Sequence, residues 1–214
     1  MSNVLIVESE NDKYFIEALI NHINVEVEIG EPVCTVDEYD CLGGIGKLEE
    51  RLRALTHRII KGEVDKVGIV FDADKVGVEK RIEQIQEKID LIKINLSEEY
   101  NSIPFYIYIQ NKDGYGELET LLKDIKSKDS TIADCLESWQ NCLPKNKKIS
   151  KKEFDKFWIS VYQRFDCCTK KEQKQANRKC NNEISLKEKD IYNLDSEIKE
   201  LKELRLFLKK LGEK

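Results

Sequence analysis

The segment "KVGIVFDAD" (residues 66–74) constrains the fold more than any other: an apolar run with no polar alternation, closed by Asp72 and Asp74. Such a run reads as a wholly buried strand. "NVLIV" (3–7) reads the same way and is followed by Glu8. "ENDKYFIEALINHI" places Tyr14, Phe15, Ala18, Leu19 and Ile23 at helical spacing. "PVCTV" (32–36) reads as a second strand, and "DCLGGIGK" leads into a helix striped by Ile45, Leu48, Leu52, Leu55 and Ile59. Another stripe (Ile82, Ile85, Ile89, Ile92, Leu96), the strand "PFYIYIQ" (104–110) and a helix from "GELETLLKDI" complete the series. Strand and helix in strict alternation describe an α/β domain, a mainly parallel sheet flanked by helices, over residues 1–126.

Residues 127–214 read as an α-helical C-terminal extension. "STIADCLESWQNCL", "SKKEFDKFWISVYQRF" and "LDSEIKELKELRLFLKKL" are helical patterns, and the last aligns Ile198, Leu201, Leu204, Leu208 and Leu211. That stripe is expected to pack on the domain's own core, since it is short for a coiled-coil seam. The lysine-rich stretch 169–190 reads as a linker or mobile loop.

Among 214 residues, 36% are charged and 40% hydrophobic, with no apolar stretch long enough to span a membrane and no signal-peptide pattern at the start. The expected setting is the cytoplasm, away from membranes. Seven cysteines fit it, because an odd number leaves at least one thiol free and none forms a CxxC pair. Cys135 and Cys142 share one helical face and read as small core residues. A zinc site from Cys167, Cys168, Cys180 and His57 is disfavoured by the adjacent pair. The net charge of −5 argues against a protein that wraps nucleic acid unaided, although "PKNKKISKK" (144–152) and "KKEQKQANRK" (170–179) are basic.

Sites in parallel α/β sheets form beyond the carboxyl ends of the strands, where Glu8, Asp72 and Asp74 stand. Alternation along an extended chain puts Asp72 and Asp74 on one side. Clustered carboxylates repel unless a cation neutralises them, and an oxygen-only set selects Mg²⁺ or Mn²⁺. A plainer reading also exists: a turn, with Asp74 capping a helix that begins near Val76. "LGGIGK" lacks the spacing of a nucleotide-triphosphate loop; its glycines and Lys47 suit either a turn or contact with a phosphate backbone.

Taken in order, Glu8 with Asp12, Gly43-Gly44, the Asp-Ala-Asp at 72–74 and Gly116-Glu117-Leu118-Glu119 resemble the TOPRIM domain. The likeness is to a small stand-alone group related to the OLD nucleases and covers residues 1 to about 125. It implies a Rossmann-like TOPRIM fold and a Mg²⁺-dependent nuclease acting on DNA or RNA. Glu8, Asp72 and Asp74 would be catalytic; Glu8, Asp12, Asp72, Asp74 and Glu119 would hold one or two ions, with Glu8 a ligand or general acid/base. Glu117 ranks below Glu119, because residues two apart on a helix face nearly opposite ways. Lys47, Lys147 and Lys148 would bind nucleic acid. The resemblance also implies an effector of a phage-defence system working beside an ABC-type ATPase. Where the family has glycine, this chain has Ser9, which fits only if its φ stays negative.

Two other functions compete. One is a non-catalytic TOPRIM-fold module that docks to a partner protein through the helical tail. The other is a small-molecule phosphoryl-transfer enzyme, which would need arginines near the site, and only Arg51, Arg53 and Arg81 are available there.

Overall fold

The computed structural model describes residues 2–34, 44–94, 96 and 103–213. Four parallel strands form the sheet: β1 (Ser2–Val7), β2 (Glu28–Ile29), β3 (Val64–Asp72) and β4 (Phe105–Gln110), in the order β2-β1-β3-β4. Helices α1 (Glu10–Ile23), α2 (Ile45–Ile60) and α3 (Val78–Lys93) follow β1, β2 and β3. α4 (Leu118–Asp124) follows β4.

Side chains of a strand alternate between faces, so each apolar run serves two cores at once. Val4, Ile6, Val67, Ile69 and Phe71 pack with the stripes of α2 and α3. Leu5, Val7 and Val70 point the other way, toward Phe15, Ile16 and Leu19 of α1. The last helix, α10 (Lys199–Gly212), covers that second face with Leu201, Leu204, Leu208 and Leu211, all fully buried. The expected packing on the chain's own core is therefore what the structure contains. Gly68 makes this close approach possible: an added Cβ would lie 2.5 Å from Leu211 Cδ2 and 2.9 Å from Leu5 Cδ1.

Between α4 and α10 run α5 (Thr131–Cys142), α6 (Lys151–Val161), a π-helical turn (Tyr162–Asp166) and the short helices α7 (Lys170–Gln173), α8 (Ala176–Lys179) and α9 (Asn182–Lys187). Trp158 and Tyr162 stack at 5.3 Å in the core shared with Leu118, Leu121 and Leu122 of α4. The Tyr162 hydroxyl donates to Ile191 O and accepts from Lys128 N–H. The tail is thereby fixed over the carboxyl end of the sheet.

Four sequence expectations change. β2 lies at Glu28–Ile29 rather than 32–36, although Gly30, Val33 and Cys34 N–H still donate to Leu5, Val7 and Glu8 O. Pro32 has no N–H to continue the ladder, and Val33 takes its place one residue late. Thr35 and Val36 lie outside the described residues. The stretch 169–190 is folded: Thr169 and Glu172 form a capping box, Cys168 and Cys180 form a disulfide, and α9 packs on α1. Cys135 and Cys142 are exposed, because α5 buries only Ala133. α3 starts at Val78 behind Gly77, not near Val76 behind an Asp74 cap.

No helix among the described residues is long and apolar enough to cross a membrane.

Replacing Gly68 by Val should force α10 off the sheet and cost about 1–3 kcal/mol, as overpacking does. Thermal unfolding by circular dichroism measures it. An unchanged midpoint would mean that α10 does not seat there.

Candidate functional site

Parallel pairing of β1 with β3 aligns Val7 with Val70, which brings the residues closing both strands together. Glu8 Oε2 accepts a hydrogen bond from Asp72 N–H at 3.1 Å. Gly44, at the start of α2, lets Glu8 pack closely: an added Cβ would lie 3.0 Å from Glu8 Cγ. Gly43 lies outside the described residues. Ser9 has φ −129°, so the negative angle that serine requires is met. It caps α1 through a capping box with Asp12, whose Oδ2 accepts from both Ser9 N–H and Ser9 Oγ. Asp12 therefore supports the helix start while turning inward to full burial.

Gln110 closes β4 in register with Asp72 and is just as buried as Asp12. Its Nε2 donates to Asp12 Oδ1 at 2.7 Å and lies 3.4 Å from Asp72 Oδ1. Leu118 N–H also donates to Asp72 Oδ1, at 3.2 Å. Gln110 was not anticipated, yet its signal was legible: a polar residue ends an apolar strand, as Asp72 does.

Asp74 takes a different course. β3 ends at Asp72, and Asp74 has φ +49°, in the left-handed region. Its backbone exchanges two hydrogen bonds with Gly116, whose own φ of +94° suits glycine. The alternation expected of an extended chain is thus broken between the two aspartates. Arg81 Nη2 reaches Asp74 Oδ2 at 2.7 Å, and Lys152 Nζ reaches Oδ1 at 2.7 Å. Arg81 also donates to Asp72 O. Arg51 and Arg53 bind Pro32 O and Glu49 instead.

A cavity of about 380 Å³ is lined by Glu8, Asp12, Asp72, Glu117 and Glu119, with Lys152 and Lys156 of α6. Asp74 lines an adjoining cavity of about 370 Å³ that shares Glu117 and Lys152. Glu117 and Glu119 reach the same cavity, against the expectation of opposite faces. Glu117 is the extended N-cap of α4 rather than part of the helix. Lys47, Lys147 and Lys148 lie outside the lining of both cavities. The lysines that line the carboxylate cavity, Lys152 and Lys156, sit at helical spacing on α6, and only the fold shows where that face points.

Burial and mutual repulsion push these carboxyls toward their protonated forms. Glu8 is raised to about 7, by burial first and then by the charge of Asp12. Asp72 is raised well above its ordinary range by burial, then by Asp12 and Glu8. Asp12 is raised because burial outweighs its bonds from Ser9 and Gln110. Burial likewise raises Glu119, and it raises Glu117 despite Lys152.

The donor set fits a hard divalent cation in its chemistry. It is oxygen-only and acidic, with five carboxyls beside two lysines in one cavity, and Gln110 Oε1 is buried without a hydrogen-bond partner among the described residues. Its spacing is looser than coordination requires, since no three His, Cys, Asp or Glu side chains among the described residues stand close enough to hold an ion. The disulfide between Cys168 and Cys180 uses two of the four zinc ligands considered.

Carboxyls with raised folded-state pKa values stabilise the fold below their unfolded pKa, and that stability is lost as pH rises through the folded value. For Glu8 the window runs from 4.5 to about 7. Without divalent metal, the urea midpoint should fall across this range. Asp12→Asn, which removes the neighbouring charge that raises Glu8 most, should flatten the fall; a fall just as steep in that variant would mean that Glu8 is not coupled to Asp12.

Residues 2–213 match a protein family described as a protein of unknown function (DUF3226). No curated protein and no solved structure matches the chain. With nearly its whole length covered by that match, the chain belongs to the DUF3226 family.

Proposed function

We propose that the protein is a TOPRIM-fold, Mg²⁺- or Mn²⁺-dependent nuclease that cleaves phosphodiester bonds of DNA or RNA. One observation carries the reading: Glu8, directly after β1, touches the amide of Asp72, the last residue of β3, inside a buried carboxylate group whose members burial drives toward protonation. Such a group is poised to exchange protons for a divalent ion. Glu8, Asp72 and Glu119 would hold it, with Asp12 behind them and Asp74 joining once its ion pairs with Arg81 and Lys152 open. When bound, the ion neutralises a phosphodiester and polarises its phosphorus for attack by water.

The chain's own groups supply the rest. Glu8 Oε1, the oxygen not engaged by Asp72 N–H, takes the proton from the attacking water. Lys152 and Lys156 place positive charge beside the cavity, where non-bridging phosphate oxygens gain negative charge. Gln110 fixes Asp12 and Asp72 against each other. The resemblance alone supplies the wider setting: the cytoplasm, a phage-defence system and an ABC-type ATPase as partner.

A second reading has its own observation. Both Asp74 oxygens are already engaged, by Arg81 and by Lys152, as suits a TOPRIM-fold module that binds a partner without cutting.

Plasmid nicking separates the two. Wild type should nick with Mg²⁺ and not in EDTA, and Asp72→Ala or Glu8→Ala should lose at least about a hundredfold, on the scale of removing a catalytic acid or base. A product that persists in EDTA or in both variants rules out the nuclease. Calorimetry with Mn²⁺ gives the complementary result: no binding by wild type favours the non-catalytic module.

A further inference from the structure

The π-helical turn presents successive residues to two different cavities. Gln163 lines the carboxylate cavity, and Arg164 lines another of about 480 Å³ with Gln173, Lys174, Gln175, Asn177 and Arg178. The charges around this second cavity are one-sided. Between residues 164 and 180 the only acids are Asp166 and Glu172. Asp166 accepts from Ile132 and Ala133 N–H at the start of α5, and Glu172 is taken by Thr169 and Lys189. The exposed cations Lys170, Lys171, Lys174, Arg178 and Lys179 have no ion-pair partner among the described residues. Arg164 lies over the ring of Phe165, 5.4 Å from its centre, and that ring is itself 43% exposed.

We propose that this cleft is a docking surface for a single nucleic-acid strand, leading it across the π turn toward the carboxylates. The inference rests on the nuclease reading for the strand's destination, but not for its binding. Unpaired cations in a concave wall track a phosphodiester backbone, and an exposed aromatic ring offers a base a stacking face. Side-chain amides from Gln173, Gln175 and Asn177 supply sequence-tolerant hydrogen bonds between them. The segment is held in shape by the Cys168–Cys180 disulfide and the capping box, so little order has to be acquired on binding. An anionic membrane fits less well. Membrane-surface helices carry a broad apolar face, whereas α7 and α8 are four residues each and bury none. The acidic balance of the whole chain is thereby reconciled with a polyanionic ligand: its cations are concentrated and its nearby acids are spent internally.

The test is fluorescence anisotropy of a labelled single-stranded oligonucleotide with the full chain in EDTA, over a salt series. Arg164→Ala/Lys174→Ala/Arg178→Ala should weaken binding at least tenfold and reduce the salt slope by about 2, the share of three phosphate contacts to a single strand. Phe165→Ala should weaken binding about tenfold with the slope unchanged. Lys209→Ala, at an exposed lysine outside the cleft, should bind within about twofold of wild type. The proposal is overturned if the triple variant binds like wild type, if Lys209→Ala loses as much, if duplex is preferred, or if phosphatidylserine vesicles bind and the oligonucleotide does not. Unchanged circular dichroism confirms that the variants fold. Because no metal is present, binding is read apart from cleavage; binding through the cleft with no nicking once Mg²⁺ is supplied would remove the nuclease reading and leave this one standing.

Discussion

The contact between Glu8 and the Asp72 amide is where the architecture of the site begins. It exists because β1 and β3 run parallel and in register, so that both end at the same rim of the sheet. A parallel sheet covered on both faces has one place where polar groups can gather without opening the core, and that is beyond its carboxyl edge. Gln110 closes the next strand at the same level and joins the same group. The residues ending β1, β3 and β4 thus converge from three distant parts of the chain.

The helical tail turns that rim into an enclosed site. α10 takes the face of the sheet over Gly68, while α6 and the π turn cover the carboxyl edge and bring Lys152, Lys156 and Gln163 to the cavity. This enclosure explains the raised pKa values: desolvation is the largest cause for Glu8, Asp12, Asp72 and Glu119 alike. Repulsion within the group adds to it. The same tail supplies a counter-charge, since Lys152 binds Asp74 and Glu117. Concentrating acid and enclosing it are separate acts, performed by separate parts of the chain.

Small backbone features decide which acids belong to which cavity. Ser9 adopts an extended conformation open to any residue, so a serine at this position leaves the first turn of α1 intact and adds a cap. Asp74 enters the left-handed region and locks onto Gly116, which separates it from Asp72 although only Ala73 lies between them. Aspartate tolerates that conformation better than most residues. Glu117, held extended as an N-cap, faces the same way as Glu119.

Local pattern alone fixed three of the four strands (β1, β3 and β4), the two-faced apolar runs, the helical stripes and the acids at strand ends. Those properties depend on periodicity and on residues that are neighbours in sequence, so they can be read without the fold. Glu8 and Asp72 belong to that legible set, and Gln110 could have joined it, whereas Asp12 and Glu119 entered only through the resemblance. The partition of Asp72 from Asp74, the ordering of 169–190 and the arrival of Lys152 and Lys156 at the cavity could not be read this way. They depend on a left-handed residue, a long-range disulfide and the direction in which a distant helix packs, and no local period encodes any of these.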